Sequence, residues 1–230
     1  MNTKFLSALT ATAAATALFG AAAPAHAFSF GTNAIQFENN TEVIFNFRQS
    51  YGAFTSSLGV YAANAPTPTL LKTLFSEVKS SDNGATGNWK GTLGNTVLGS
   101  GEVVFTFLAN KIYTLGLNSG YDGSVYSTST LNSGGTQQAV FGDQSLQNAL
   151  NLQSTSSFQN AGQFTDGLSA LFNGGALISF DDRGNGSDAD FQDFTVSAEA
   201  VPEPMTMTGL ALGLGGLVAA RRRRGSKTAS

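Results

Sequence analysis

Five carboxylates fall in one short stretch of this chain: Asp181, Asp182, Asp188, Asp190 and Asp193, within Asp181-Asp182-Arg183-Gly184-Asn185-Gly186-Ser187-Asp188-Ala189-Asp190-Phe191-Gln192-Asp193. Like charges held that close repel unless a cation, Arg183 or backbone N–H groups offset them. Calcium takes about six to eight oxygen ligands in flexible geometry, and the glycines let the backbone wrap around an ion. The spacing is not an EF-hand. Counted from Asp181, Asn185 and Gly186 suit the fifth and sixth positions, whereas Arg183 at the third and Gln192 at the twelfth do not. The expectation is that Asp181, Asp182, Asp188, Asp190 and Asp193 supply oxygens to one Ca2+, with Asn185 helping. The alternative is a solvated acidic turn in which Asp188 and Asp190 cap the loop.

Other chemistry is thinly represented. The single histidine is His26, and there is no cysteine. Residues 28–200 therefore lack a Ser-His-Asp triad, a cysteine nucleophile, a His/Cys zinc or copper site and disulfides. No Gly-x-x-x-x-Gly-Lys phosphate loop occurs. Paired carboxylates alone suffice for glycoside hydrolysis, so composition leaves a carboxylate glycosidase open, without a motif in its favour. Trp89, in Gly87-Asn88-Trp89-Lys90-Gly91, is either a sugar-stacking platform or a half-buried residue at a sheet edge. The whole chain carries net charge −3; residues 28–200 keep 6 basic and 14 acidic side chains, a net −8. That charge disfavours nucleic acid as a partner and favours cations.

The elements that must position the acidic segment read as β. Glycine is abundant, at 27 residues, charged residues make up only 12%, and short stretches alternate with period two. Val43, Phe45 and Phe47 share one side against Glu42, Asn46 and Arg48. Val103, Phe105 and Phe107 repeat this against Glu102 and Thr106, and Ala109-Asn110 reads as a turn into a hairpin partner, Lys111–Leu117. Leu58–Ala62, Ser124–Leu131, Gln138–Phe141, Gly175–Phe180 and Phe191–Ala198 complete a set of about eight strands. Apolar residues on one face of each predict two antiparallel sheets packed face to face, a jelly-roll-like β-sandwich. Phe164, Leu168, Leu171 and Phe172 have helical spacing, ended by Asn173-Gly174-Gly175. Leu146, Ala149 and Leu150 suggest a weaker helical turn. Residues 63–69 and 80–88 are expected loops.

Both ends look like addressing segments. Lys4, an apolar alanine-rich run over 5–23 and Ala25-His26-Ala27 read as a secretory signal peptide, residues 1–27, with Phe28 the mature start. At the other end, Pro202 and Pro204 hold Val201-Pro202-Glu203-Pro204 extended. Met205–Ala220 is uncharged, and its sixteen residues make about 24 Å of helix, short for a bilayer core of about 30 Å. Arg221, Arg222, Arg223 and Arg224 then form a cytoplasmic stop, which places residues 28–200 outside.

This order resembles the PEP-CTERM sorting tail of Gram-negative bacteria. Pro202-Glu203-Pro204 matches the motif, Met205–Ala220 the span and Arg221–Arg224 the basic end. The resemblance implies processing by exosortase, a membrane-embedded cysteine protease. The acidic segment is similar to a domain of unknown function found beside such tails and in calcium-rich bacterial surface proteins. Phe180-Asp181-Asp182 and Asp188-Ala189-Asp190-Phe191-Gln192-Asp193 match it, with Gln192 where Asn is usual. Gly59-Val60-Tyr61, Val125-Tyr126-Ser127-Thr128 and Gln137–Phe141 resemble stretches of cyanobacterial proteins of this type. Three parts are thus expected: a signal peptide (1–27), an exported β domain (28–200) and a sorting tail (201–230). The tail would anchor the protein transiently in the inner membrane. The expected product is a non-enzymatic cell-surface or extracellular-matrix protein, with exopolysaccharide a candidate partner. A calcium-dependent carbohydrate-binding module is the first alternative, a glycosidase the second.

Overall fold

A computed structural model describes residues 27–63, 67–83, 89–120, 123–151, 158–183 and 188–202, with side chains from Ser29 onward. The signal segment before Ala27, the tail from Glu203 (including Pro204 and Arg221–Arg224) and Asn185 lie outside the described residues. Among the described residues no helix is long and apolar enough to cross a membrane.

The described chain is mainly β. Its strands are β1 (Ala27–Phe30), β2 (Ile35–Phe37), β3 (Thr41–Tyr51), β4 (Ser57–Ala62), β5 (Thr69–Ser76), β6 (Lys90–Gly91), β7 (Glu102–Phe107), β8 (Tyr113–Asn118), β9 (Ser124–Tyr126), β10 (Ala139–Gly142), β11 (Ala176–Phe180) and β12 (Phe194–Ala200). Two short helices, α1 (Gln144–Asn151) and α2 (Leu168–Phe172), interrupt them. The strands form two six-stranded antiparallel sheets. One runs β1-β2-β8-β4-β5 with β9 on β8; the other runs β10-β11-β12-β3-β6 with β7 on β3.

The long strand β3 shows why the pattern folds this way. Val43, Phe45 and Phe47 are buried while Glu42 and Arg48 are exposed, the period-two signature of a strand with one wet face. Side chains of both sheets meet in one apolar cluster. Phe37 of β2 packs on Phe107 of β7 with ring centroids 5.2 Å apart. Phe75 of β5 meets Phe47 of β3 at 5.9 Å, and Phe30 of β1 stands edge-on to Phe141 of β10 at 5.5 Å. Such tilted and edge-on geometries suit aromatic quadrupoles.

The expected hairpin between 103–107 and 111–117 does not form. A turn exists at Asn110 (φ 57°), but β7 pairs with β3 and β8 with β4, β2 and β9, in the other sheet. Tyr113 through Leu117 are buried throughout, so β8 needs cover on both faces and takes a central place. Tyr113 stays against its sequence neighbours through ring contacts with Phe107 and Phe105 rather than through a ladder. The expected strand 124–131 stops at Tyr126. There the Asn132 side chain donates to the Tyr126 carbonyl (2.9 Å) and accepts its N–H (2.7 Å), satisfying the backbone without a partner strand.

The helical expectations change in weight. Phe164 is not part of α2, which holds only Leu168–Phe172 and ends at Asn173 with Gly174 and Gly175 at positive φ. Phe164 stacks on Phe158 instead. The segment with the weaker signal is the longer helix, α1, whose Leu146 and Leu150 are buried. Strands β1, β2, β5 and β6 fell outside the sequence expectation. In β5 the first five residues, Leu70 and Leu71 among them, are exposed and only Leu74 and Phe75 are buried, so no alternation marks it.

Candidate metal centre

The acidic segment is the connection between β11 and β12, two antiparallel neighbours whose register runs from Ala176↔Ala198 to Phe180↔Phe194. The aspartates therefore start where one strand stops and end where the next begins. Asp181 donates its N–H to the Gln138 carbonyl (3.2 Å), Asp193 donates to the Phe180 carbonyl (3.0 Å), and Tyr51 of β3 donates to the Asp193 carbonyl (3.0 Å). Both ends of the loop are thus pinned by backbone. Near its β12 end the loop is also held by an aromatic side chain. Phe191 is 1% exposed and packs with Val140, Leu146 and Leu177 in a second apolar cluster on the far side of β10 and β11.

Two non-glycine residues in the loop, Ala189 (φ 57°) and Phe191 (φ 42°), take left-handed conformations. That conformation is costly for a bulky residue. Here it accompanies a turn in which Phe191 points into apolar packing while its neighbour Asp190 turns toward the other carboxylates.

Four of the five aspartates are nearly out of solvent: Asp181 is 0%, Asp182 3%, Asp193 8% and Asp190 9% exposed. Oxygens of Asp181, Asp182 and Asp193 lie within 4.8 Å of one another, and so do oxygens of Asp181, Asp188 and Asp190. Asp181 belongs to both triads. Both its oxygens also accept backbone N–H groups, from Arg183 (3.0 Å) and Ala189 (2.8 Å). Asp193 Oδ2 accepts the Asp182 N–H at 2.9 Å. By contrast, Asp182 Oδ2 and Asp190 Oδ1 are buried with no hydrogen-bond partner among the described residues. Asp188 is exposed and pairs with Arg183 at 3.5 Å.

Electrostatics follow from that crowding. Burial, and then repulsion from Asp181, Asp190 and Asp188, pushes the Asp182 carboxyl up to about 7 despite its bond to Asp193. Burial, with Asp188 and Asp181 nearby, pushes Asp190 up to about 6. Burial and the charges of Asp182 and Asp190 hold Asp193 well above the usual carboxylate range. Arg183 pairs with Asp188, the most exposed of these carboxylates.

The site also recruits residues with no signal in the acidic stretch. Gly52, just after β3, faces it: a Cβ there would stand 3.1 Å from Asp182 Oδ2 and 3.3 Å from Asp193 Oδ1. Glu77, after β5, is buried beside it. Glu77 accepts the Ser50 hydroxyl and the Ser56 N–H, the latter at 2.7 Å. Burial lifts Glu77 to about 7, and the Asp182 charge adds to the rise. The sequence reading singled out neither Ser50 nor Glu77, because their approach to the aspartates is a contact between segments far apart in the chain.

The structure thus gathers all five sequence-selected aspartates, as two triads sharing Asp181 rather than as one ring. Of the tail motif, Val201 donates its N–H to the Glu42 carbonyl of β3 at 2.8 Å, and Pro202, lacking an N–H, follows as an exposed residue. The fold and this cluster define a mainly β protein with buried acidic groups in positions that could hold a metal ion; every donor is oxygen, the set favoured by hard cations. No family model, no curated protein and no solved structure matches the chain.

Proposed function

We propose that this chain is a non-enzymatic exported protein of the cell surface or extracellular matrix, whose two sheets form a jelly-roll-like β-sandwich body that holds a calcium ion between β11 and β12. Its ends act as a signal peptide and a PEP-CTERM tail. An exosortase-like protease processes that tail after transient anchoring in the inner membrane. The observation that carries the cation reading is the pair of unpartnered oxygens, Asp182 Oδ2 and Asp190 Oδ1, on side chains 3% and 9% exposed. A buried carboxylate oxygen without a partner is costly, and a cation in one triad would lower that cost for the aspartate it holds, Asp182 in one triad or Asp190 in the other. Oxygens within 4.8 Å of one another match donors at about 2.4 Å from a common ion.

The same elevated carboxyls bear on a glycosidase reading. Hydrolysis needs two carboxyl groups about 5 to 9.5 Å apart, with a sugar between them. The crowding favours a shared cation instead. The test is calcium titration of the full chain by calorimetry, together with its melting temperature. One binding event and a rise in melting temperature, both lost in Asp181→Asn, are expected. Absence of heat and of any rise would end the cation reading. The mass of the exported product tests the sorting reading: a product starting at Phe28 and lacking residues 205–230 is expected, and an intact cytosolic chain refutes it.

A further inference from the structure

The acidic cluster does not close on itself. It borders a cleft of about 230 Å³ whose lining also includes three aromatic residues: Tyr51 from the end of β3, Phe54 just beyond, and Trp89 before β6. All three are half-buried, so their rings pack against the protein and still border the opening. Asp182, Asp190 and Asp193 line the acidic side, with Arg183 and Gln192 beside them.

The polar groups on that side are unequal. Among the described residues, Asp182 Oδ2 and Asp190 Oδ1 are buried acceptors with no donor, and Arg183 Nε is a buried donor with no acceptor. Gln192 bonds to Asp190 and brings an amide to the same wall. An anion would meet the aspartates. An apolar molecule would strip water from the partly exposed Arg183 side chain without replacing its hydrogen bonds, at about 1–3 kcal/mol for each group left unpaired. An organic cation would suit the aromatic wall, but Arg183 stands in the cleft with its own positive charge. A neutral polyol answers all three features, because each hydroxyl both donates and accepts and a sugar ring offers a C–H face to an aromatic ring.

We propose that this cleft binds one residue of a neutral saccharide, its ring against Trp89 and its hydroxyls shared between Arg183 and the cation held by the aspartates. This rests on the calcium reading above. Calcium takes about six to eight oxygens, more than three carboxylates supply if each gives one, so positions remain for vicinal hydroxyls. The volume lies below the range of about 300–1,000 Å³ usual for drug-sized ligands, which suits a single sugar unit with the rest of a polymer outside.

Trp89 is the only tryptophan in the chain, so intrinsic emission reports on this wall. The experiment titrates the full chain with the methyl glycosides of mannose, galactose, glucose and fucose, in calcium and in EDTA, after calcium binding has been measured on its own. At least one glycoside is expected to shift the emission in calcium and none in EDTA. By calorimetry, Arg183→Ala and Trp89→Ala are each expected to weaken that glycoside at least tenfold while calcium affinity stays within threefold or tightens. Calcium binding with no response to any glycoside overturns the saccharide proposal and leaves the cation reading standing. Loss of calcium binding itself sinks the cation reading, and the saccharide proposal falls with it. A shift produced by tetramethylammonium without calcium would assign the cleft to organic cations and also overturn it.

Discussion

Replacing Asp193 with asparagine separates a cation site from a cluster that is stable by itself, because the two predict opposite signs. Asp193 is 8% exposed, and one of its oxygens lies within 4.8 Å of oxygens on Asp181 and Asp182. Two unit charges at that distance repel by about 3.5 kcal/mol at an effective dielectric constant of about 20. Burial and the neighbouring charges raise both Asp182 and Asp193, so proton uptake relieves this repulsion until both carboxyls are ionised. Asp193→Asn removes one charge from the triad and keeps a carbonyl oxygen to accept the Asp182 N–H. Its amide also brings a donor close to the unpartnered Asp182 Oδ2. In EDTA, at a pH high enough to ionise Asp193 as well as Asp182, the substitution is expected to stabilise the fold by about 2–4 kcal/mol, which for a domain of this size raises the melting temperature by about 5–10 °C. In calcium that advantage shrinks or disappears. The native protein gains about 2.7 kcal/mol at a concentration one hundred times its dissociation constant, and the variant gains almost nothing. Thermal melts of both proteins in EDTA and in calcium read this directly. If Asp193→Asn lowers the melting temperature in EDTA and keeps the calcium response, Asp193 is an internal hydrogen-bonding residue and the electrostatic reasoning is wrong.

Glu77 gives a pH dependence. Its folded value of about 7, against an ordinary 4.5, means the folded state holds this proton more tightly than the unfolded chain does. Stability of the metal-free protein should therefore fall as pH rises from about 4.5 to about 7, by roughly 3 kcal/mol for this group. Urea unfolding at pH 5 and pH 8 should show a clearly smaller difference for Glu77→Gln than for the native protein; an equal difference counts against it. Gly52→Ala places a Cβ 3.1 Å from Asp182 Oδ2 and is expected to weaken calcium at least tenfold with the β signal in far-UV dichroism retained; unchanged affinity would mean that Gly52 does not border the ion. Phe141→Ala empties a fully buried place against Phe30 and should cost about 3–5 kcal/mol in urea unfolding, with under 1 kcal/mol pointing to a core that collapses around the loss.

How much of the site was legible depended on whether the residues were neighbours in sequence. Asp181, Asp182, Asp188, Asp190 and Asp193 stood out because so many carboxylates rarely crowd one loop without a counter-charge. Their division into two triads did not stand out, since it depends on left-handed turns at Ala189 and Phe191 that side-chain type does not announce. Trp89 was noticed for its ring but had no place beside the aspartates until β3 and the chain entering β6 brought it there. The hairpin between β7 and β8 failed for a similar reason. Local alternation marked both strands, yet burial on both faces of β8 sent it to the other sheet.

Residue types and their spacing alone settled that this chain is mainly β, that residues 28–200 contain no histidine or cysteine to do chemistry with, and where the acidic oxygens are concentrated. Period-two burial and composition are local properties, readable without a partner. Only the tertiary structure decided which strands share a sheet, that Gly52 and Glu77 stand against the aspartates, and that two of the aspartate oxygens are buried without partners. Those are contacts between segments far apart in the chain, and they exist only once residues of both sheets meet in one apolar cluster and Asp181, Asp182, Asp190 and Asp193 leave water.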